Sequence, residues 1–232
     1  MTQQPFGEET RQSFDDTLDG IRRGTLELGA LVLENTRRMS ETILENRVDL
    51  AHEVVTADEE IDARYSDLER EVFEVLARQQ PVAGDLRLLV SITRILYEIE
   101  RSGDLAVNAA KGVIRREGYW LQPNLQSLLA RMASATTDLF AKSLDALTDL
   151  DPTAGERLDI EDDVVDDLVA ELYGAIGKAS SEMEFELAVE LSRVGRYMER
   201  IADHAVNIGE HVTFIVTGSF PADEDPAVTD EG

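Results

Sequence analysis

Three oxygen-bearing side chains stand four residues apart near the end of the chain: Glu199, Asp203 and Asn207. On a helix of 3.6 residues per turn they form a ladder, each about one turn above the last. The same ladder occurs earlier, at Glu100, Asp104 and Asn108. Two carboxylates and an amide oxygen facing one way suit a hard cation. Two more carboxylate pairs share the spacing, Asp58 with Asp62 and Asp162 with Asp166, each inside an acidic run. Like charges four apart destabilise a helix by about 0.2–0.5 kcal/mol per pair. Four such pairs ask for compensation. A divalent or trivalent ion bridging carboxylates of neighbouring helices would supply it without proton uptake. The residues alone leave another reading open, in which these are solvated acidic faces. Asn108 and Asn207 divide between ion ligand and interhelical hydrogen-bond partner. Iron, zinc, manganese and magnesium all accept oxygen ligands, and the sequence does not choose among them.

The ladders belong to a repeat. Setting Glu100 on Glu199 places Arg101 on Arg200, Asp104 on Asp203, Ala106 on Ala205, Val107 on Val206 and Asn108 on Asn207 without a gap. The earlier pairs match as well, with Asp58 on Asp162, Ile61 on Val165, Asp62 on Asp166 and Leu68 on Leu172. One E-x-x-x-D is unremarkable in so acidic a chain, but E-R-x-x-D-x-A-V-N twice marks an internal duplication. Arg101 and Arg200 follow the ladder glutamates and are read as (i, i+3) partners of Asp104 and Asp203, or as groups holding a ligand carboxylate in place. His204 points about 100° away from Asp203 and is read as a core or partner-face histidine. Gly103, matched by Ala202, reads as a small residue needed for close helix approach.

The elements that carry these ladders are helical. Apolar residues recur near a period of 3.6, including Val194, Met198, Ile201, Ala205, Ile208 and Val212 beside the second ladder. The periodicity predicts six helices, at about 13–45, 50–79, 83–116, 124–150, 152–180 and 182–216. Pro81 turns the chain after the second, Pro152 is placed to open the fifth, and Gly218 suits the residue that ends the sixth. Residues 1–12 read as a flexible tail and 219–232 as a disordered acidic one. Three helices per half with short breaks pack as antiparallel neighbours. The expected fold is all-α, two pseudo-symmetric three-helix bundles at 13–117 and 118–218. Trp120, in the linker between halves, is expected to pack between them, with an exposed Tyr119–Trp120 contact as the alternative.

Composition narrows the function. The formal net charge of −26 repels nucleic-acid phosphate and disfavours docking on an anionic membrane. No apolar run reaches the roughly 20 residues that span a bilayer, so no membrane insertion is expected, and residues 1–10 lack the features of a signal peptide. With no cysteine there is no disulfide, thiolate site or cysteine nucleophile. No nucleophile–base pair, phosphate-cradling glycine loop or nucleotide fingerprint is present. A helical di-metal carboxylate oxidase needs Glu-x-x-His pairs, but His52, His204 and His211 are preceded at that spacing by Asp49, Ile201 and Ile208. The remaining alternatives are a regulatory adaptor and a metal-free helical scaffold.

The doubled E-R-x-x-D-x-A-V-N resembles the PhoU family of phosphate-signalling regulators, as does the segment QQPVAGDLR at 79–87, otherwise a plain connection between helices. The likeness runs from about Phe14 to Gly218. It implies the paired three-helix fold, metal ions held by E/D-x-x-x-D motifs, and no enzymatic activity. Residue by residue, it carries Asp58, Asp62, Glu100, Asp104, Asp162, Asp166, Glu199 and Asp203 over as ligands. Ala57 stands where some members have another polar residue, so each cluster has its own ligand count. The resemblance further implies a cytoplasmic repressor of phosphate-starvation genes. It would act between the ATPase subunit of a phosphate ABC transporter and a sensor histidine kinase. A homodimer is the expected assembly.

Overall fold

A computed structural model describes residues 6–179 and 183–221 of the 232-residue chain. Its elements, in order, are α1 (Phe6–Glu45), α2 (Val48–Gln79), α3 (Ala83–Arg115), α4 (Pro123–Asp149), α5 (Ala154–Ala179) and α6 (Phe185–Thr217). Among the described residues there is no strand. The fold is all-α, as the periodicity requires. The apolar stripes close into one continuous core that includes Ile21, Leu28, Ile92, Leu96, Ile99, Leu129, Phe140, Leu191 and Val194.

The breaks between helices have local causes. α2 stops at Gln80, which turns left-handed with φ 47°, and Pro81 cannot continue the hydrogen-bond ladder. α6 stops at Gly218 with φ 81°, where an αL residue carries no Cβ penalty. Gly118 is doubly constrained. Its φ is 88°, and a Cβ there would lie 2.3 Å from the Asn46 side-chain oxygen. That oxygen accepts a 2.6 Å hydrogen bond from the Tyr119 backbone N–H, tying the interhalf linker to the α1–α2 turn.

Four details differ from the sequence reading. α1 begins at Phe6 rather than near Ser13, because no proline interrupts the stretch that follows. Pro152 does not open α5. It lies in a turn in which the Asp151 carboxylate accepts from the Thr153 backbone N–H at 2.9 Å and hydroxyl at 2.8 Å, and the helix begins at Ala154. Ser219–Phe220–Pro221 do not all belong to a free tail. Phe220 stacks on Phe214 with centroids 4.5 Å apart, and Pro221 lies over Gly155. Trp120 does not pack between the halves but is 84% exposed, whereas Tyr119 is buried. The remainder of both expected tails, residues 1–5 and 222–232, lies outside the described residues.

Within each half the three helices pack on one another, and the halves join through α3 against α6 and α1 against α4. The α3–α6 pair is antiparallel, as its cross-contacts show. Arg87, early in α3, donates to the Ile215 carbonyl late in α6 at 3.4 Å. Arg115, at the end of α3, reaches Glu190 early in α6 at 3.3 Å. An antiparallel pair of duplicated helices is what a pseudo-twofold axis generates. It places the second copy of every α3 side chain on α6, facing the opposite way along the axis.

Gly103 does not explain close approach. A Cβ there would sit 3.5 Å from Val32 Cγ2 and 3.7 Å from Ile61 Cγ2, ordinary contacts that fit the alanine at 202. A helical glycine pressed against a neighbouring backbone is Gly209. A Cβ there would lie 2.6 Å from Leu158 Cδ1 and 3.0 Å from the Ala154 carbonyl oxygen. In urea denaturation followed by circular dichroism, Gly103→Ala should be neutral or stabilise by up to about 1 kcal/mol. Gly209→Ala should destabilise by about 1–3 kcal/mol. The reverse order would show that the α5–α6 approach is misplaced.

Candidate metal centre

Each carboxylate pair stands at the edge of a buried seam. Ile61 between Asp58 and Asp62 is 2% exposed, and Val165 between Asp162 and Asp166 is 1% exposed. Burying these two residues fixes the rotation of α2 and α5, so the carboxylates come up beside the neighbouring helix. The copies agree: Asp58 and Asp162 are half-buried while Asp62 and Asp166 are exposed. On α3 and α6, Glu100, Asp104 and Glu199 are half-buried and Asp203 is exposed.

The acidic groups form two separate neighbourhoods. Burial pushes Asp58 up from its usual range, and the negative charges of Asp62 on its own helix and Asp104 on α3 push it further, against the pull of Lys111. Burial also raises Glu100, with Asp104, Asp62 and Asp58 adding to the effect and Arg101 opposing it. The second neighbourhood is the more strained. Asp162 is pushed up to about 7, by burial first and then by Asp166, Asp203, Asp159 and Asp163. Asp203, although exposed as a whole residue, is raised by partial desolvation of its carboxyl and by Glu199, with Arg196 opposing. The eight carboxylates predicted as ligands therefore fall into two sets of four, one between α2 and α3, the other between α5 and α6.

The arginines near the two sets do not repeat each other. Arg101 pairs with Asp104 at 3.1 Å, the (i, i+3) pairing expected, and lies over the Tyr97 ring. In the other copy, among the described residues, Arg200 makes no such bridge to Asp203; Arg196 instead bonds Glu199 at 2.6 Å.

The ladder asparagines part company. Asn108 is exposed, but the Asn207 amide donates to the Glu98 carboxylate on α3 at 3.3 Å. The same carboxylate oxygen accepts from Nδ1 of His204, a buried histidine whose Nε2 has no hydrogen-bond partner. His204 is thus a core histidine bound across the α3–α6 seam. Burial would raise Glu98, but the bonds from His204 and Asn207 outweigh it and hold the carboxyl below its usual range. Glu98 was not singled out from the sequence. The available signal was its alignment with Tyr197, a residue of the apolar stripe: a carboxylate in an apolar position of a repeat needs a buried partner. Of the other histidines, His52 is exposed, and burial lowers His211, whose ring meets the edge of Phe220.

One atom tests whether this donor set fits a cation. Asp162 Oδ1 is buried and has no hydrogen-bond partner. An orphaned carboxylate oxygen among four other acids lacks a positive charge, and a metal ion is the group that would supply one. Among the described residues no three acidic or histidine side chains already converge on a common point.

The metal-free protein carries a pH signature. The Asp162 carboxyl ionises near 3.8 when unfolded but holds its proton to about 7 when folded. In that window the folded state binds the extra proton, so this group's contribution to stability falls as pH rises and levels off above about 7. Asn at this position cannot ionise. Metal-free Asp162→Asn should therefore melt above wild type at pH 8, with the gap narrowing at pH 5. Parallel melting profiles for the two proteins would show that Asp162 is not the strained group.

Comparison with known proteins bears on the duplication and the fold. The PhoU domain family profile matches residues 25–113 and 129–212, one segment in each half. A phosphate-specific transport system accessory protein PhoU homolog from Synechocystis sp. is 35% identical over 216 residues, covering 93% of this chain and 96% of that protein. Homolog 1 of Mycobacterium tuberculosis is 35% identical over 191 residues, 82% of this chain and 86% of its own. The crystal structure of PhoU from Pseudomonas aeruginosa superposes with a TM-score of 0.82 at 27% identity, covering 89% of this chain and all of that one. The Streptococcus pneumoniae phosphate transport system regulatory protein PhoU shares the fold with a TM-score of 0.80. On this combination of duplicated sequence, matching profile and common architecture, the chain belongs to the PhoU family.

Proposed function

We propose that the chain is a metal-binding, non-enzymatic regulator of phosphate uptake and phosphate-starvation signalling. The relatives named as phosphate-transport accessory proteins support the setting. The orphaned Asp162 Oδ1 within a duplicated carboxylate ladder carries the metal-binding part. Asp58, Asp62, Glu100 and Asp104 would hold one centre, and Asp162, Asp166, Glu199 and Asp203 the other. Asn207 is already engaged by Glu98 and is the least suited of the predicted ligands. Bound metal would supply positive charge that offsets the repulsion, pinning α2 to α3 and α5 to α6. Oxygen-only donors suit iron, zinc, manganese or magnesium.

In this reading the protein works in the cytoplasm as an adaptor. Its output is a binding equilibrium with the transporter's ATPase subunit, with a sensor histidine kinase, or with both. Such a role is compatible with the absence, among the described helices, of any long and apolar enough to cross a membrane. The −26 charge requires partner surfaces that are less acidic or basic, and added salt weakens that encounter. Exposed apolar side chains on the outer helices, such as Phe73, Ile160 and Val164, support pairing of two copies.

Deleting the gene tests the regulatory reading. Phosphate-starvation genes should become active in phosphate-rich medium, and the wild-type gene should restore repression. Normal repression in a deletion strain that holds no second copy would overturn this reading and leave a helical scaffold.

A further inference from the structure

The linker between the halves forms one wall of a cavity of about 340 Å³, lined by Arg116, Tyr119, Trp120, Leu125, Met183 and Leu187 among others. It lies away from both carboxylate neighbourhoods, at the end of α3 and the start of α6. Two donors there lack acceptors. Tyr119 is 7% exposed, and its hydroxyl is buried without a hydrogen-bond partner. The Arg116 Nε–H is buried and unpartnered too, although its Nη2 donates to Glu184 at 2.8 Å. A phenol and a guanidinium edge beside the apolar side chains of Leu125, Met183 and Leu187 call for one acceptor, and an anionic one satisfies both most strongly.

The rim says what kind of molecule brings it. Trp120, which lines the mouth, is 84% exposed. A free acid small enough to fill the hollow would leave the indole in water. A polypeptide segment would cover it, and an exposed tryptophan beside a pocket is typical of the energetic centres of protein interfaces.

We infer that this cavity is an anchor site for a polypeptide partner, taking an apolar side chain, aromatic by preference, with a carboxylate beside it. The ring enters among Leu125, Met183 and Leu187, and the carboxylate accepts from Tyr119 and Arg116. The inference does not depend on metal binding or on the regulatory reading.

Trp120 is the chain's single tryptophan, so its fluorescence reports on the cavity mouth directly. Three probes are titrated into the full-length protein: N-acetyl-Ala-Leu-Phe with a free carboxylate, its C-terminal amide, and hydrocinnamate. The peptide acid should give a saturable blue shift with a dissociation constant of about 1 mM or below. The amide and hydrocinnamate should bind about tenfold more weakly or worse. Tyr119→Phe separates binding from folding. Removing an orphaned buried hydroxyl should raise Tm by about 2 °C or more, while the same change weakens the peptide acid severalfold. Any of three results overturns the inference: no saturable shift with the peptide acid, an amide that binds as tightly as the acid, or a Tyr119→Phe protein that binds unchanged. Hydrocinnamate binding as tightly as the peptide would overturn the polypeptide assignment in favour of a free organic acid.

Discussion

The structure depends on the antiparallel contact of α3 with α6, and that contact is held in register by a buried polar knot. Glu98 on α3 accepts from both His204 and Asn207 on α6. Each such bond adds little net stability, but losing one partner leaves a largely buried polar group unsatisfied, at a cost of about 1–3 kcal/mol. A slipped register along the seam therefore carries a large penalty. Glu190 acts similarly near the start of α6. It is 4% exposed and bridged by Arg115 and Arg193, and its Oε1 lies 1.7 Å from where a Cβ on Gly112 would stand, so a larger residue there would have to displace the carboxylate. With the seam fixed, the pseudo-twofold is fixed, and the two carboxylate neighbourhoods must stand on opposite flanks of the α3–α6 pair.

The carboxylate ladders place charge where stability alone would not. Asp58 and Asp162 are half-buried beside fully buried apolar residues, and each faces a further acid from the adjacent helix. The two copies are not equally relieved. Lys111 draws Asp58 down and Arg101 draws Glu100 down, whereas Asp162 has no basic group among its principal influences and is left with an orphaned oxygen. A cation would gain most in the second neighbourhood. Proton uptake by Asp162 is the substitute available to the metal-free chain.

Most of the fold, and the pairing of the acidic ladders on neighbouring helices, were legible in the residues. The 3.6-residue apolar period found all six helices, because each long helix buries a continuous stripe that no local propensity can mask. Duplication paired the ladders, since matched residues on pseudo-equivalent helices must share an environment. What failed was local or asymmetric. Pro152 fits the first turn of a helix, yet the Asp151 side chain competes for the Thr153 backbone and delays the start. Trp120 was expected to pack between the halves from its place in the linker, but the left-handed Glu117 and Gly118 turn the chain so that Tyr119 takes the inner position. Glu98 and Glu190 are buried acids in one copy only, aligned with Tyr197 and Ser91 in the other, so a repeat read for its agreements passes over them.

The central claim is that the duplicated ladders are cation sites. Anomalous X-ray scattering from crystals grown with manganese at neutral pH tests it directly. The account predicts anomalous peaks in two places: between Asp58, Asp62, Glu100 and Asp104, and between Asp162, Asp166, Glu199 and Asp203, with the second at least as well occupied. Full-strength data with no peak at either place, or peaks only at other surface carboxylates, would contradict it.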